Sequence, residues 1–183
     1  MIIGLTGPIC SGKGTGALII RDRGYKFLSF GDEVRLEAEA RGIALSRERL
    51  QALGFKLTEE FGESYWAIRL LSRIETKSDY VVDGFRYPGQ VEIFRANTKS
   101  NFILVGINAP FEILRERYEN KRKRTEDTLP FEEAHARDWD GVEGGQKGRL
   151  CYEMANFKIS NETNDTSDLE KKIHSFLREI ESF

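Results

Sequence analysis

Cysteine and histidine are scarce in this chain. Its 183 residues hold two of each, Cys10 and Cys151, His135 and His174. No pair stands at C-x-x-C or metal-ligand spacing, so neither a disulfide-rich fold nor a structural zinc site is expected, and the thiols read as reduced. Proline is rare as well, with four in the whole chain, and no low-complexity linker or internal repeat interrupts it. No apolar run approaches the roughly 18 residues needed to cross a membrane. The start, Met1-Ile-Ile-Gly-Leu-Thr, lacks the basic opening and long apolar middle of a signal peptide, so a cytoplasmic location is expected. Neither sign of charge dominates. Lys and Arg total 28 against 30 Asp and Glu, a net charge of −2, which argues against a generic DNA-coating protein.

What the chain has in quantity is core-forming material spread evenly: 12 Phe, 6 Tyr and 2 Trp, with 39% apolar residues. That length and distribution suit one domain, 1–183. Short continuous apolar runs at Ile2 to Thr6, Phe27 to Phe30, Tyr80 to Val82, Phe102 to Ile107 and Phe157 to Ser160 read as strands. Continuous rather than alternating runs suit parallel strands covered on both faces. Between them, helical spacing runs over Thr15 to Arg23, Asp32 to Arg41, Glu48 to Phe61, Ser64 to Lys77, Pro110 to Lys121, Phe131 to Trp139 and Leu169 to Glu181. Pro110 fits a first helical turn, and Asp168 is placed to cap the last helix. Strand–helix alternation predicts an α/β fold with a five-stranded parallel sheet. The second and third strands are about fifty residues apart, more than one crossover needs. The excess predicts a helical insertion over 31–77, and the charged stretch 115–148 a second, lid-like segment. Core is then expected over 1–30, 78–114 and 149–183.

One motif names a chemistry. Gly7-Pro8-Ile9-Cys10-Ser11-Gly12-Lys13-Gly14-Thr15 fits G-x-x-x-x-G-K between a strand and a helix. Glycines let backbone N–H groups approach phosphate oxygens, and the helix N-terminus adds partial positive charge. Lys13 is expected on the β- and γ-phosphates of ATP, with Cys10 a small filler. Gly14 replaces the usual hydroxyl residue, so magnesium would be held through water or phosphate oxygens, with Thr15 a candidate to assist. A plain glycine-rich turn and a loop that binds nucleotide without turnover remain the alternatives.

Three blocks in order, the GKGT loop, Gly31-Asp32-Glu33-Val34-Arg35 and Asp83-Gly84-Phe85-Arg86, resemble the adenylate kinase and wider nucleoside monophosphate kinase family, near its archaeal and bacterial members that also resemble dephospho-coenzyme A kinases. The resemblance implies a P-loop NTPase three-layer sandwich with a helical acceptor-binding insertion and a short lid. It implies that Arg35 and Arg86 grip the acceptor phosphate from two sides, bidentately and without loss of charge. Asp83 would orient magnesium through water. Asp32 would place Arg35 or touch the acceptor sugar, the alternative being that it caps its helix while Arg35 makes a surface pair. Gln90 lies near the family's base-reading glutamine. The chain departs from the pattern at Phe30, where a small hydroxyl residue is usual, and in lacking the proline of D-G-F-P-R.

After the fourth strand, Arg115, Arg117, Lys121, Arg122, Lys123 and Arg124 crowd one stretch, interleaved with Glu112, Glu116 and Glu119. The resemblance implies lid arginines over the transferring phosphoryl group, best matched by Arg117 and Arg122, with Arg124 or Arg137 as additions. A solvated ion-paired helix face is the plainer reading for most of them. Gly141, Gly144, Gly145 and Gly148 are expected to let the lid hinge or pack. The whole predicts ATP- and Mg2+-dependent phosphoryl transfer to a nucleoside or deoxynucleoside monophosphate, with small nucleotides and no nucleic acid as partners. Transfer to a hydroxyl, as in dephospho-coenzyme A kinases and with Asp32 as the base, and a nucleotide sensor without turnover are the competing readings.

Overall fold

The computed structural model describes residues 1–98, 102–123, 129–142 and 145–182. Five parallel strands form its centre: β1 (Ile2–Thr6), β2 (Lys26–Ser29), β3 (Tyr80–Phe85), β4 (Phe102–Asn108) and β5 (Phe157–Ser160), in the order β2-β3-β1-β4-β5. β1 pairs on one side with β3, Ile2 opposite Tyr80, and on the other with β4, Ile2 opposite Phe102. This central strand is buried at every residue, which is why it reads as a continuous apolar run.

Alternate β1 residues face different layers. Ile3 and Leu5 join Val81, Val105 and Ile107 beneath α1 (Lys13–Arg21) and α9 (Thr166–Glu181), with Ala17, Ile20, Ile173 and Leu177 filling the space between. Ile2 faces the opposite layer, built from α2 (Phe30–Ala40), α3 (Arg47–Phe61), α4 (Tyr65–Leu71), α5 (Pro88–Asn97) and α8 (Gly148–Glu153). There Phe85, Phe94 and Phe102 meet edge-on or tilted with centroids 5.0 to 5.4 Å apart. Gly4 lies under this cluster, where a Cβ would stand 2.7 Å from both Phe85 and Phe102. A third, smaller cluster of Ala109, Leu114, Tyr118, Phe131 and Ala134 joins α6 (Phe111–Arg122) to α7 (Phe131–Trp139). The result is the P-loop NTPase three-layer sandwich.

Several elements differ from their sequence reading. Phe30 opens α2 instead of ending β2, because Ser29 caps that helix by accepting from the Gly31 N–H at 3.1 Å. Asp32 is therefore not the cap. α4 stops at Leu71, where Ser72 Oγ donates to the Arg69 carbonyl at 2.7 Å and the chain turns. The cap of α9 is Asp165, accepting from the Ser167 N–H at 2.9 Å, and Asp168 instead pairs with Lys172 at 2.8 Å. α5 and α8 are helices that the spacing did not announce. Over 31–77, α2 and α4 are locked by ion pairs: Glu33, 4% exposed, meets both Arg69 and Arg73, and Glu37 meets Arg69 and Arg41. Glu63, at the α3–α4 turn, accepts from the Gly89 N–H at 3.0 Å and from Lys147 Nζ at 2.7 Å. That ties the inserted helices to α5 and to the segment before α8. Among the described residues, no helix is long and apolar enough to cross a membrane.

Candidate functional site

β1 delivers the chain to Gly7 at the C-terminal edge of the sheet, between the ends of β3 and β4. Gly7 has φ 144°, and a Cβ there would collide with the Ile107 carbonyl. Gly12, at φ 100°, is the N-cap of α1, and its missing Cβ leaves room for the Asn161 side chain. Only glycine fits both demands at once. Cys10 also adopts a left-handed conformation, φ 62°, its side chain half-buried against the α6–α7 cluster. Gly14 has open space where a side chain would go, so no packing constraint explains the missing hydroxyl.

Lys13 folds back into this loop. Its Nζ donates to the Pro8 carbonyl at 2.7 Å, which also accepts from the Ser11 N–H at 3.2 Å. Burial, and next the nearby Arg86 guanidinium, bring its ammonium down to about 8. Asp83, two residues before the end of β3, has one buried oxygen, Oδ1, with no hydrogen-bond partner among the described residues. Burial raises its carboxyl, opposed by Lys13 and Arg86. An orphaned acidic oxygen beside a phosphate loop suits a magnesium-bound water as donor. Asp83 thus fits the metal role set out for it, while Thr15 lies exposed on the first turn of α1.

Arg86 reaches across from the loop after β3. Its Nη1 donates to the Gly7 carbonyl at 2.7 Å, and its Nη2 pairs with Asp138 Oδ1 at 3.1 Å. A cleft of about 470 Å³ brings together Gly12, Lys13, Gly14, Thr15, Cys10, Asp83, Arg86 and Arg117, while Gly7 and Ser11 are buried within the loop beneath it. Arg117, on the wall of this cleft, brackets the loop ends around it in this conformation. Its guanidinium donates to the Cys10 carbonyl at 3.3 Å, to Asn164 Oδ1 at 3.0 Å, and to the carbonyls of Asn161 and Thr163.

Five expected site residues fall elsewhere. Asp32 and Arg35 pair with each other at 2.5 Å and line a separate cleft of about 370 Å³ beside β2. Arg35 and Arg86 therefore do not face one another in this conformation. Gln90 is 2% exposed, and its Oε1 accepts from the N–H groups of Arg86 at 2.8 Å and Tyr87 at 3.2 Å. It closes the N-terminus of α5 and has no free carbonyl face for a base. Arg122 pairs with Glu119 at 3.4 Å and donates to the Leu129 carbonyl, outside the residues lining either cleft. Arg137 pairs with Glu133 at 2.6 Å on the exposed side of α7. Arg124 and Gly144 lie outside the described residues.

Sequence reasoning missed two contributions. Asp138 is one. The other is the turn after β5, where Asn161 is 5% exposed and its Nδ2 donates to the Ser11 carbonyl at 2.9 Å. Thr163, Asn164, Asp165 and Thr166 continue that wall of the cleft. A run of small polar residues directly after a parallel strand was the available signal, because ligands collect at the C-terminal ends of such strands.

A sequence profile described as an AAA domain matches residues 6–133. A UPF0200 protein of Methanosarcina barkeri is 32% identical over 188 residues, covering 99% of this chain and 98% of its own length. The chain belongs to the UPF0200 family and carries an AAA domain. A UPF0200/UPF0201 protein of Archaeoglobus fulgidus is 34% identical over 183 residues. That match takes in 98% of this chain, which spans only 55% of the longer relative. Among solved structures, shikimate kinase from Acinetobacter baumannii, in complex with shikimate, is similar with a TM-score of 0.60 at 20% identity, over 97% of this chain and 93% of that one. A gluconokinase from Sinorhizobium meliloti follows at TM-score 0.56 and 16% identity, over 97% and 91%. At those identities the likeness is one of fold, a P-loop fold that small-molecule kinases share.

Proposed function

We propose that this chain catalyses ATP- and magnesium-dependent phosphoryl transfer to a nucleoside or deoxynucleoside monophosphate, giving the diphosphate. One observation carries the reading: Arg86, a permanent cation, is bound to the backbone of the phosphate loop itself, in the same cleft as Lys13 and Asp83. A guanidinium so placed can meet an acceptor phosphate while the loop amides and Lys13 hold the donor. Lys13 would leave the Pro8 carbonyl to meet the donor's phosphates. Asp83 would hold magnesium through water, with Thr15 able to assist, and the ion when bound would neutralise charge on the donor phosphates. The bond from the transferred phosphorus to its bridging oxygen breaks as the acceptor oxygen bonds to it. An ionised phosphate oxygen needs no general base for this. Arg35, now paired with Asp32, would have to turn from its own cleft to join Arg86 on the acceptor.

A hydroxyl acceptor is the second reading. It is favoured by Asp83, whose raised carboxyl and orphaned oxygen could accept a proton, and by the kinases for shikimate and gluconate that share the fold. The test is a panel with ATP and magnesium, read by product mass: ribo- and deoxyribonucleoside monophosphates, dephospho-coenzyme A, shikimate and gluconate. The proposal expects a diphosphate from at least one monophosphate. Product from a hydroxyl acceptor alone replaces it with the second reading. Tight ATP binding with no product from any acceptor leaves a nucleotide sensor.

A further inference from the structure

Asp138 is the residue at this site that no motif announces. It stands at the end of α7, beside Arg137, and the helical turn between neighbours sends Arg137 outward and Asp138 in. Arg86 and Asp138 are 15% and 14% exposed, so their contact is not a solvated surface pair. The surrounding chain is built to hold it. The Lys147 N–H donates to the Arg86 carbonyl at 2.9 Å, and the Gln146 N–H donates to the Arg137 carbonyl at 2.5 Å. Gly148 passes so close that a Cβ would stand 2.6 Å from the Asp138 carbonyl. The second carboxylate oxygen, Oδ2, is buried with no partner among the described residues. A buried carboxylate with an unused oxygen is costly to keep, so the pair makes a poor stabilising device.

It makes a good positioning device. A guanidinium anchored at one nitrogen, here to the Gly7 carbonyl, can still swivel about that bond. A second anchor on the other nitrogen fixes its plane. Two of its five N–H groups are then taken and three remain for phosphate oxygens. We propose that Asp138 is a positioning residue for phosphoryl transfer, holding Arg86 in place at the mouth of the phosphate loop before substrates arrive. This rests on the site being a phosphotransferase. The carboxylate is carried by a helix of the 115–148 segment, so that segment acts on the reaction through Arg86.

The test uses the full chain with Asp138→Asn and Asp138→Glu, each alone and combined with Arg86→Ala, after circular dichroism shows that each variant folds. Asp138→Asn should bind ATP with magnesium within about threefold of the parent, while turnover at saturating substrate falls about ten- to a hundredfold, the cost of a misplaced group. Asp138→Glu should recover part of that loss. On the Arg86→Ala background the same substitutions should change turnover less than about twofold, since nothing is left to position. Equal losses on both backgrounds, unchanged turnover, or a gain that marks Asp138 as a competitor for Arg86 would each overturn the assignment. If no acceptor is phosphorylated, it is the functional reading that fails. Nitrogen-15 spectra of arginine-labelled protein then still decide the positioning claim. The Arg86 Nη groups should give separate, slowly rotating signals in the parent that merge in Asp138→Asn, and identical signals in both would overturn it.

Discussion

Lys13 is a lysine in the protein interior, 7% exposed, with its ammonium on a backbone carbonyl. Burial disfavours its charge, and Arg86 adds repulsion, so it titrates near 8, well below an ordinary lysine. Between that value and the ordinary one the unfolded chain binds more protons than the folded chain. Lys13 therefore makes stability rise with pH across that upper window and contributes no slope below about 8. Ligand binding runs the other way, because arriving phosphates favour the charged ammonium. ATP binding at about pH 8 should take up a fraction of a proton, and at about pH 6.5 almost none. Calorimetry in two buffers of different ionisation enthalpy measures this. No difference in uptake between the two pH values would mean that Lys13 is charged throughout. The lysine itself was legible from its motif. Its titration was not, because that depends on Arg86 and Asp138 arriving from distant parts of the chain.

At the scale of elements, the strands were the easiest to read, since burial on both faces leaves unbroken apolar runs. The two missed helices failed for different reasons. α8 has six residues, too few to show a period. α5 begins Pro88-Gly89, a pair that reads as a turn, yet proline suits a first helical turn once something caps it. Gln90 supplies that cap. Gln90→Ala should lower stability by about 1–2 kcal/mol in denaturant unfolding, with the acceptor KM within about twofold of the parent. A large rise in acceptor KM at unchanged stability would instead return Gln90 to a base-reading role. The glutamine is visible in the sequence but its backbone contacts are not, because they depend on how Tyr87 enters the helix.

At the scale of the whole molecule, three apolar clusters among the described residues divide the work. Two clasp the sheet, and the third holds α6 to α7, the parts that carry Arg117 and Asp138. Phe131 is the keystone of that third cluster, 1% exposed and in ring contact with Phe111, Tyr118 and His135. Phe131→Ala should remove about 3–4 kcal/mol of local stability. Hydrogen exchange should then quicken over Phe111–Arg122 and Phe131–Trp139 and stay slow in β1, β3 and β4. Uniform acceleration throughout would show that the third cluster does not open on its own.

From its order of residues alone this chain disclosed its α/β class, its five strands and its phosphate loop. Each of those rests on interactions among neighbours in sequence: a glycine's backbone freedom, a helix period, an apolar run. The meeting of Arg86 with Gly7 and Asp138, of Asn161 with Ser11, and the separation of Arg35 into another cleft had no such local cause. They follow from the strand order, which sets the end of β1 between those of β3 and β4 with β5 beyond. Charges that are far apart along the chain are felt only once that arrangement has removed the water between them.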